Sequence, residues 1–191
     1  MKAIWCYDDF LTAEQCGDVI DYALTLPVAG GTVGNNSADD ESAYSIHKPT
    51  RDSEVAWIKR DGCKLQWLFP MCDLKVATLN DAWHGVRHHH TGCDALQFTM
   101  YHPGNYYRSH VDSVCRADNA PTRKVSCSIL LSDPKDFKGG DLIVDGGRLG
   151  EDKLKRGQIS VFPSIVTHEV TEVTAGVRYS LVGWWLGPPW M

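Results

Sequence analysis

The sequence predicts an α+β domain in which helices pack on a two-sheet β-sandwich or jelly roll. Helical periodicity is confined to the first half of the 191-residue chain, whereas short β-branched and aromatic segments follow one another from about residue 95 onward. Glycine-containing turn sequences separate those segments. Helices followed by many short strands are typical of this fold class.

The first half of the chain predicts one strand and two helices. Lys2–Tyr7 is rich in apolar residues and predicts an opening strand. Thr12-Ala-Glu-Gln15 has the pattern of a helix-capping box, and apolar residues then recur at helical spacing until Pro27 ends the helix. A second helical pattern covers about residues 64–82, with Pro70 at a break or at the start of its main part.

The second half predicts five strands with turns between them. The strands cover Leu96–Tyr101, Arg123–Leu131, Asp141–Val144, Gly157–Phe162 and Val177–Leu186. The turns include His-Pro-Gly-Asn (102–105), Lys-Gly-Gly-Asp (138–141) and Asp-Gly-Gly-Arg (145–148). Because neither a repeat nor a linker is visible, we expect one domain over residues 1–191, with helical support over about 1–90 and the β core over about 95–187.

The composition limits the classes of function. Hydrophobic residues make up 43% of the chain and charged residues 23%, which is typical of a globular protein. The formal net charge of −5 argues against a general nucleic-acid binder, which needs a basic face. No apolar run has the length of a membrane span and no export signal is recognisable, so we expect a cytoplasmic protein without membrane association.

Seven cysteines are scattered along the chain without a Cys-x-x-Cys pair. This spacing supports neither a zinc knuckle nor a redox pair. We expect most of these cysteines to be reduced, small core residues of a cytosolic protein.

Residues 30–42 form a glycine-rich, polar and acidic stretch, which predicts a mobile loop. Glycines permit large changes of backbone conformation, and lids exclude water from active sites. We therefore hypothesise that this loop closes over bound substrate. Unchanged protease sensitivity of the loop after all ligands are added would contradict the hypothesis.

Four residues in the second half have the chemistry of a metal and cosubstrate site: His110, Asp112, His168 and Arg178. Two histidines and one carboxylate form the facial triad that binds Fe(II) and leaves one side of the ion open. Residues two apart in a strand project from the same face, so His110 and Asp112 can bind one ion while Val111 points into the opposite layer. His-x-Asp alone is a weak motif, and the metal prediction depends on its combination with His168 and Arg178.

The open positions of such an ion suit 2-oxoglutarate and O₂, and the distal carboxylate of 2-oxoglutarate then needs a fixed cation. Arg178 offers a planar two-point contact that a lysine would not. Ser180 lies two residues later on the same strand face, and Tyr101 ends another strand, so both are candidate donors to the cosubstrate. Alternation places Tyr106 and Arg108 on the side of the metal ligands, which makes them candidate substrate contacts.

A second group of histidines, His88-His89-His90 with His84 nearby, does not fit a designed metal site. Three consecutive histidines cannot all face one ion on a strand, and a helix would spread them apart. We expect at most adventitious metal binding there.

Several segments carry a family resemblance. They are Ala95–Ser113, Phe137–Leu142, Gly157–Ser164 and His168–Ser180, with Arg51–Trp57 as a further segment upstream. In this order they resemble the prolyl 4-hydroxylase-like branch of the 2-oxoglutarate/Fe(II) dioxygenase superfamily, of bacterial and phage type. Apart from the upstream segment, they cover most of residues 95–186.

The resemblance implies a double-stranded β-helix core, cupin-like, with supporting N-terminal helices. It implies Fe(II) bound by His110, Asp112 and His168, and 2-oxoglutarate paired with Arg178. The implied reaction consumes O₂, converts 2-oxoglutarate into succinate and CO₂, and hydroxylates a C–H bond of the substrate. We also expect ascorbate as an auxiliary cofactor of the reaction.

The resemblance leaves the substrate open. Collagen-type prolyl hydroxylases bind 2-oxoglutarate through a lysine, whereas this chain offers Arg178, which weakens the case for a collagen-like substrate. The leading prediction is hydroxylation of prolyl residues in a peptide or protein. The alternatives are a free amino acid or other small metabolite as substrate, and a non-catalytic sensor module that binds metal and 2-oxoglutarate. Asp112 favours hydroxylation over halogenation, because related halogenases have a small residue in place of the carboxylate.

Overall fold

The computed structural model describes residues 4–34, 44–45, 48–81, 92–113, 120–148 and 154–188. Within these residues there are two helices, α1 (Ala13–Ala23) and α2 (Leu68–Asp81). The strands are β1 (Trp5–Tyr7), β2 (Ala29–Gly30), β3 (Val33–Gly34), β4 (Tyr44–Ser45), β5 (Arg51–Asp52), β6 (Glu54–Lys59), β7 (Ala95–Tyr101), β8 (Tyr106–His110), β9 (Thr122–Leu130), β10 (Phe137–Gly139), β11 (Leu142–Val144), β12 (Gly147–Arg148), β13 (Ile159–Pro163), β14 (His168–Val170), β15 (Val173–Gly176) and β16 (Arg178–Gly187).

The strands form two main antiparallel sheets. The larger sheet has seven strands in the order β1-β13-β9-β16-β7-β6-β2, and the smaller has five in the order β12-β11-β14-β8-β5. Between them Tyr101 and Phe162 of the larger sheet meet Leu142, Val144 and Val170 of the smaller in one apolar cluster. The fold is the predicted jelly roll, a double-stranded β-helix with supporting helices.

A second apolar core lies on the other face of the larger sheet. The buried residues of α1 and α2 pack there on the central strands β7, β9 and β16, where Phe98, Ile129 and Leu181 are fully buried. Successive residues of a strand point to opposite faces, so their neighbours Thr99 and Ser180 face the smaller sheet. One set of residues on each central strand therefore supports the helices, and the alternate set lines the space between the sheets.

The local helix signals in the sequence are confirmed. The Thr12 hydroxyl accepts a hydrogen bond from the Gln15 backbone N–H at 3.1 Å, and the Gln15 side chain accepts one from the Thr12 N–H at 2.9 Å. The helix α1 ends at Ala23, before the predicted stop at Pro27. Pro70 lies in the first turn of α2, where its missing N–H has no helical partner to lose.

All five strands predicted in the second half are present as β7, β9, β11, β13 and β16. The sequence did not predict β2, β5 and β6, through which the first half of the chain also extends both sheets. Strand β6 is the clearest case, because Ile58 pairs with Leu96 of β7 across a long stretch of chain. Such a pairing depends on a distant partner, and local periodicity does not report it.

Several predictions fall outside the described residues. Of the predicted lid over residues 30–42, residues 30–34 are described and contribute to the strands β2 and β3. The remainder of the lid, and the histidines His84 and His88–His90, lie outside the described part of the chain. Within the described part, no helix has the length and hydropathy to cross a membrane.

The thiols provide a first testable prediction. Of the six described cysteines, Cys6 is exposed and the other five are buried, and none of the six forms a disulfide. Burial raises the pKa of Cys16 to about 11. We expect Cys6 to be alkylated rapidly in the native protein near neutral pH and the five buried thiols only after unfolding, as measured by mass spectrometry of the labelled chain.

The same shift has a consequence for stability. The unfolded thiol loses its proton near pH 9.0, whereas folded Cys16 keeps it until about 11. Unfolding therefore releases a proton in this interval, and the contribution of Cys16 to stability falls as the pH rises through it. Rapid alkylation of Cys16 in the native protein would contradict both its burial and the raised pKa of its thiol.

Candidate active site

His110, Asp112 and His168 lie together at the end of the smaller sheet. His110 on β8 and His168 on β14 are paired directly across the two strands. The Nε2 atom of His110 is 3.6 Å from one oxygen of Asp112, and that of His168 is 3.4 Å from the other. One ligand atom from each residue lies within 4.8 Å of the other two, a spacing that one metal ion can bridge.

The hydrogen bonds of the two imidazoles leave their Nε2 atoms available to bind a metal. The Nδ1 atom of His110 is 2.8 Å from the carbonyl of Arg108, and that of His168 is 3.1 Å from the carbonyl of Val166. A carbonyl only accepts, so each Nδ1 carries the proton and each Nε2 keeps its lone pair. This arrangement is typical of metal-binding histidines.

The pKa shifts of Asp112 and His168 also favour a cation. Burial by itself would raise the pKa of Asp112, but the neighbouring His168 and His110 hold it well below its usual range. Burial lowers the pKa of His168. A carboxylate and neutral imidazoles are the forms that bind metals, so the donor set fits Fe(II).

One detail of the predicted motif is wrong. Asp112 lies beyond the end of β8, and Val111 is 39% exposed rather than inserted into an opposite layer. The chain leaves the strand after His110, and the backbone N–H groups of Asp112 and Ser113 both donate to the Ser164 carbonyl at 2.9 Å. Asp112 therefore reaches the histidines through this turn and not through strand alternation.

Two buried serines support the Asp112 carboxylate. The Ser126 hydroxyl donates to Asp112 Oδ2 at 2.7 Å, and the Ser164 hydroxyl lies 2.8 Å from that of Ser126. Both side chains are fully buried. They restrict the orientation of Asp112 before any metal binds.

Removal of this support yields a second prediction. Ser126→Ala should lower the affinity for a divalent metal by about 10- to 100-fold, because the carboxylate loses an orienting hydrogen bond. Competition with a chelating dye will measure the affinity. Ser160→Ala is the matched control, since Ser160 is equally buried in the same sheet and interacts with Cys6. Equal affinities in both variants would contradict the assigned support.

Arg178 begins β16 on the facing sheet and is 1% exposed. Its Nη1 donates to the Ser180 hydroxyl at 2.9 Å, while its buried Nε and Nη2 have no hydrogen-bond partner among the described residues. Burial lowers the pKa of this guanidinium. A buried cation with unpaired donors is unfavourable unless an anion binds it. This end of the cavity therefore favours the binding of an anion.

The glycine pair of the Lys-Gly-Gly-Asp turn makes room for this arginine. Gly140 has a φ of +64°, and a Cβ atom at this position would lie 2.7 Å from Arg178 Cδ and 2.9 Å from Val173 Cγ2. Only glycine combines the left-handed backbone with that contact. The turn predicted from the sequence is therefore also part of the wall behind Arg178.

One narrow cavity between the sheets contains all of these groups. Strand pairing places Arg178 opposite Tyr101 and Ser180 opposite Thr99, so the predicted cosubstrate residues share one face. Tyr101 is buried, and burial raises the pKa of its hydroxyl. The polar side chains of the lining are Arg51, Gln97, Thr99, Tyr101, Tyr107, His110, Asp112, Ser128, His168, Arg178, Ser180 and Trp184.

The predicted substrate contacts are placed differently. Tyr106 and Arg108 stack on each other outside this lining, and the Tyr106 hydroxyl donates to the Lys48 carbonyl. Tyr107 lies in the cavity instead and stacks on His110 with a centroid distance of 3.5 Å. The pairing of β8 with β14 shifts by one residue between His110 and Tyr107, so simple alternation does not hold there.

Arg51 and Gln97, two of the buried polar residues of the cavity, were not predicted as site residues. Arg51 lies over the Tyr107 ring, 4.7 Å from its centroid, and donates to Gln97 Oε1 at 2.7 Å. The only sequence signal was the position of Arg51 in the Arg51–Trp57 segment of the family resemblance. A lone arginine or glutamine has no spacing pattern that marks it as part of a site.

Comparisons with protein families and with known proteins show what this chain is similar to. The family model of the 2OG-Fe(II) oxygenase superfamily matches residues 96–186. A PKHD-type hydroxylase of Rippkaea orientalis is 28% identical over 183 residues, which are 93% of this chain and 75% of that protein. Other PKHD-type hydroxylases align over 90 to 93 residues, so the matched part of the chain spans about two fifths of their length.

Solved structures share the fold at low sequence identity. A prolyl hydroxylase from Trichoplax adhaerens, in complex with a peptide fragment of the hypoxia inducible factor oxygen degradation domain, superposes with a TM-score of 0.72. It is 20% identical, and the match covers 96% of this chain and 83% of that one. A Pseudomonas putida prolyl-4-hydroxylase gives a TM-score of 0.66 at 24% identity, over 96% and 92% of the two chains.

Proposed function

We propose that this chain, which matches the 2-oxoglutarate/Fe(II) oxygenase superfamily over residues 96–186, hydroxylates a prolyl residue of a peptide or protein. It is a prolyl hydroxylase-like dioxygenase that uses Fe(II), 2-oxoglutarate and O₂. The observation that supports this proposal most is the buried Arg178. Arg178 lines the cavity that also contains His110, Asp112 and His168, and two of its donors have no partner in the part of the chain that the structure describes.

We assign Fe(II) to His110, Asp112 and His168. Bound iron and 2-oxoglutarate supply the oxidising power of the reaction, in which substrate C–H, O₂ and 2-oxoglutarate become substrate C–OH, succinate and CO₂. Asp112 would supply the carboxylate ligand of the metal. The two imidazoles, held by backbone carbonyls, keep their Nε2 atoms directed at the same point.

We assign the distal carboxylate of 2-oxoglutarate to Arg178, with Ser180 and Tyr101 beside it. The Ser180 hydroxyl holds the guanidinium from one side, which leaves Nε and Nη2 for a two-point contact. The Tyr101 hydroxyl keeps its proton because burial raises its pKa, and it remains a donor. All three side chains orient the cosubstrate along the larger sheet. We treat residues 1–191 as one domain, since both halves of the chain contribute strands to both main sheets.

The proposed substrate class has support from the two structural neighbours described above, both of which are prolyl hydroxylases. Hydroxylation of a free amino acid is the second candidate, and one observation favours it. The cavity contains the further buried arginine Arg51, which a neutral prolyl ring does not require.

The decisive assay is Fe(II)-dependent conversion of 2-oxoglutarate into succinate under air, with ascorbate present, in wild type and His110→Ala. Proline-containing peptides and free amino acids serve as the two substrate sets, and mass spectrometry detects the addition of one oxygen atom. Succinate that requires iron, His110 and a peptide supports the proposal. Product from free amino acids alone supports the second candidate, and no succinate with either set contradicts both.

The presence of Asp112 gives a third prediction. In buffer that contains chloride the product should be hydroxylated and never chlorinated, because Asp112 would supply a carboxylate ligand where related halogenases have a small residue. Mass spectrometry of the product will show the difference through the chlorine isotope pattern. A chlorinated product would contradict the role of Asp112 as a metal ligand.

A further inference from the structure

We propose that the substrate carries a carboxylate, which binds at the end of the cavity opposite Arg178, beside Arg51, Gln97 and Trp184. The inference rests on the proposed function, because it takes the Arg178 end as the 2-oxoglutarate site. It restricts the substrate to molecules that carry a carboxylate, and this carboxylate can have one of two sources. These are a terminal carboxylate, as in a free amino acid or a C-terminal residue, and an acidic side chain beside the target residue of a peptide.

The two buried arginines lie at opposite ends of one row of side chains. Gln97, Thr99 and Tyr101 line the cavity along β7, with Tyr101 opposite Arg178 and Gln97 hydrogen-bonded to Arg51. The Arg178 guanidinium bonds to Ser180, which is opposite Thr99, whereas the Arg51 guanidinium bonds to Gln97. The two guanidinium groups share no hydrogen-bond partner among the described residues, so Arg51 can hold an anion of its own.

Arg51 has only neutral partners within the described chain. It is 4% exposed, and its Nε, Nη1 and Nη2 donate to the Ser53 hydroxyl, the Thr32 carbonyl and the Gln97 amide oxygen. Each terminal nitrogen of a guanidinium carries two hydrogens, so donors remain after these bonds. A buried cation whose partners are all neutral favours the binding of an anion.

Trp184 supplies an independent sign of a missing acceptor. Its Nε1 is buried without a hydrogen-bond partner in the described part of the chain, and its side chain lines the cavity. Buried indole N–H groups usually have an acceptor. The unpaired donor and Arg51 lie in the same cavity, which places two unused donor groups on its lining.

The charge around this end has the sign that a carboxylate needs. The guanidinium of Arg123 lies 3.8 Å from the Trp184 ring centroid, and the exposed Trp57 is 6.1 Å from that ring. Asp112 is assigned to the metal, and Arg178 to 2-oxoglutarate. Arg51 and Arg123 therefore leave positive charge for the substrate on a chain whose net charge is −5.

The test compares carboxylates with matched carboxamides. Isothermal titration calorimetry of the protein loaded with Mn(II) and saturating 2-oxoglutarate, without O₂, will use L-proline against L-prolinamide and N-acetyl-Asp-Pro-amide against N-acetyl-Asn-Pro-amide. We expect the carboxylate to bind at least tenfold more tightly than the amide in one pair, and that pair identifies the source. Equal or tighter binding of both amides, or no binding of any of the four probes, would overturn the inference.

The variants identify the subsite. Arg51→Gln should abolish the tenfold preference, Arg51→Lys should retain part of it, and Trp184→Phe should reduce it severalfold. Arg156→Gln is the control for loss of one positive charge, because Arg156 is half-exposed near Asp133 and away from the cavity. If Arg51→Gln does not fold, Arg123→Gln tests the same positive charge. A preference that survives in both Arg51→Gln and Arg123→Gln would also overturn the inference.

A parallel titration separates this inference from the proposed function. Arg51→Gln should still form the anaerobic iron–2-oxoglutarate absorption band, since the hydrogen bonds of Arg51 go to Ser53, Thr32 and Gln97 and not to the residues assigned to 2-oxoglutarate. If the wild type forms no band, the proposed function fails. A carboxylate preference that is lost in Arg51→Gln but kept in Arg178→Gln, measured without 2-oxoglutarate, would then still support the Arg51 subsite.

Discussion

Arg178→Gln should weaken the binding of 2-oxoglutarate by about 100-fold or more, while metal binding stays unchanged. The wild-type guanidinium is fully buried and has two donors without partners among the described residues, so a carboxylate there would form a charge-assisted pair away from water. Loss of one member of such a pair typically reduces affinity by about 2–5 kcal/mol, and every 1.4 kcal/mol corresponds to about tenfold. Anaerobic titration of the iron–2-oxoglutarate absorption band will measure the change.

A thermal measurement provides an independent readout of the same variant. Ligand that binds only the folded state raises the melting temperature, so 2-oxoglutarate should stabilise metal-loaded wild type but not Arg178→Gln. Arg156→Gln is again the control for charge. Normal affinity for 2-oxoglutarate in Arg178→Gln would show that another group holds the distal carboxylate.

His168→Ala should lose Fe(II) binding and reduce succinate formation by several orders of magnitude. His168 is buried, its Nε2 is 3.4 Å from Asp112, and it joins the two other candidate ligands across β14 and β8. Removal of one of three protein ligands leaves a pair of donors too weak to hold the ion in a defined geometry. Metal content after dialysis and the rate of succinate formation are the two measurements.

His102→Ala is the matched control for that variant. His102 is exposed, lies near Glu54 at 3.3 Å, and does not line the cavity in the described part of the chain. Metal content and the rate of succinate formation should both remain at the wild-type level in His102→Ala. Iron-dependent succinate formation that persists in His168→Ala would exclude His168 as a ligand.

The residues that line the cavity come from both main sheets. The candidate metal ligands come from the smaller sheet and the turn after β8, whereas Arg178, Ser180 and Tyr101 come from the central strands of the larger sheet. Those central strands also support the helices through their alternate residues. Packing of the helices and orientation of the candidate cosubstrate residues therefore depend on the same strand register, and a slip of one residue would destroy both.

Local signals in the sequence were sufficient for several elements. The capping box at Thr12 and Gln15 involves residues three apart, and the turn Asp145-Gly146 has positive φ at both positions. Each is decided by contacts within a few residues, which a sequence pattern contains. The four chemically distinctive residues from His110 to Arg178 were predicted for a related reason, since few other reactions require that set in that order.

Features that depend on distant partners required the tertiary structure. The pairing shift that puts Tyr107 beside His110, and the turn that carries Asp112 to the histidines, arise where β8 meets β14 and Ser164. The Arg51 subsite exists only because β5 joins the smaller sheet and β7 presents Gln97 to it. By itself the sequence thus determined the fold class, the helix start and the candidate chemistry, because those follow from local pattern and residue type. The tertiary structure alone decided which side chains share the cavity, because strand register and burial are set by contacts between residues far apart in the chain.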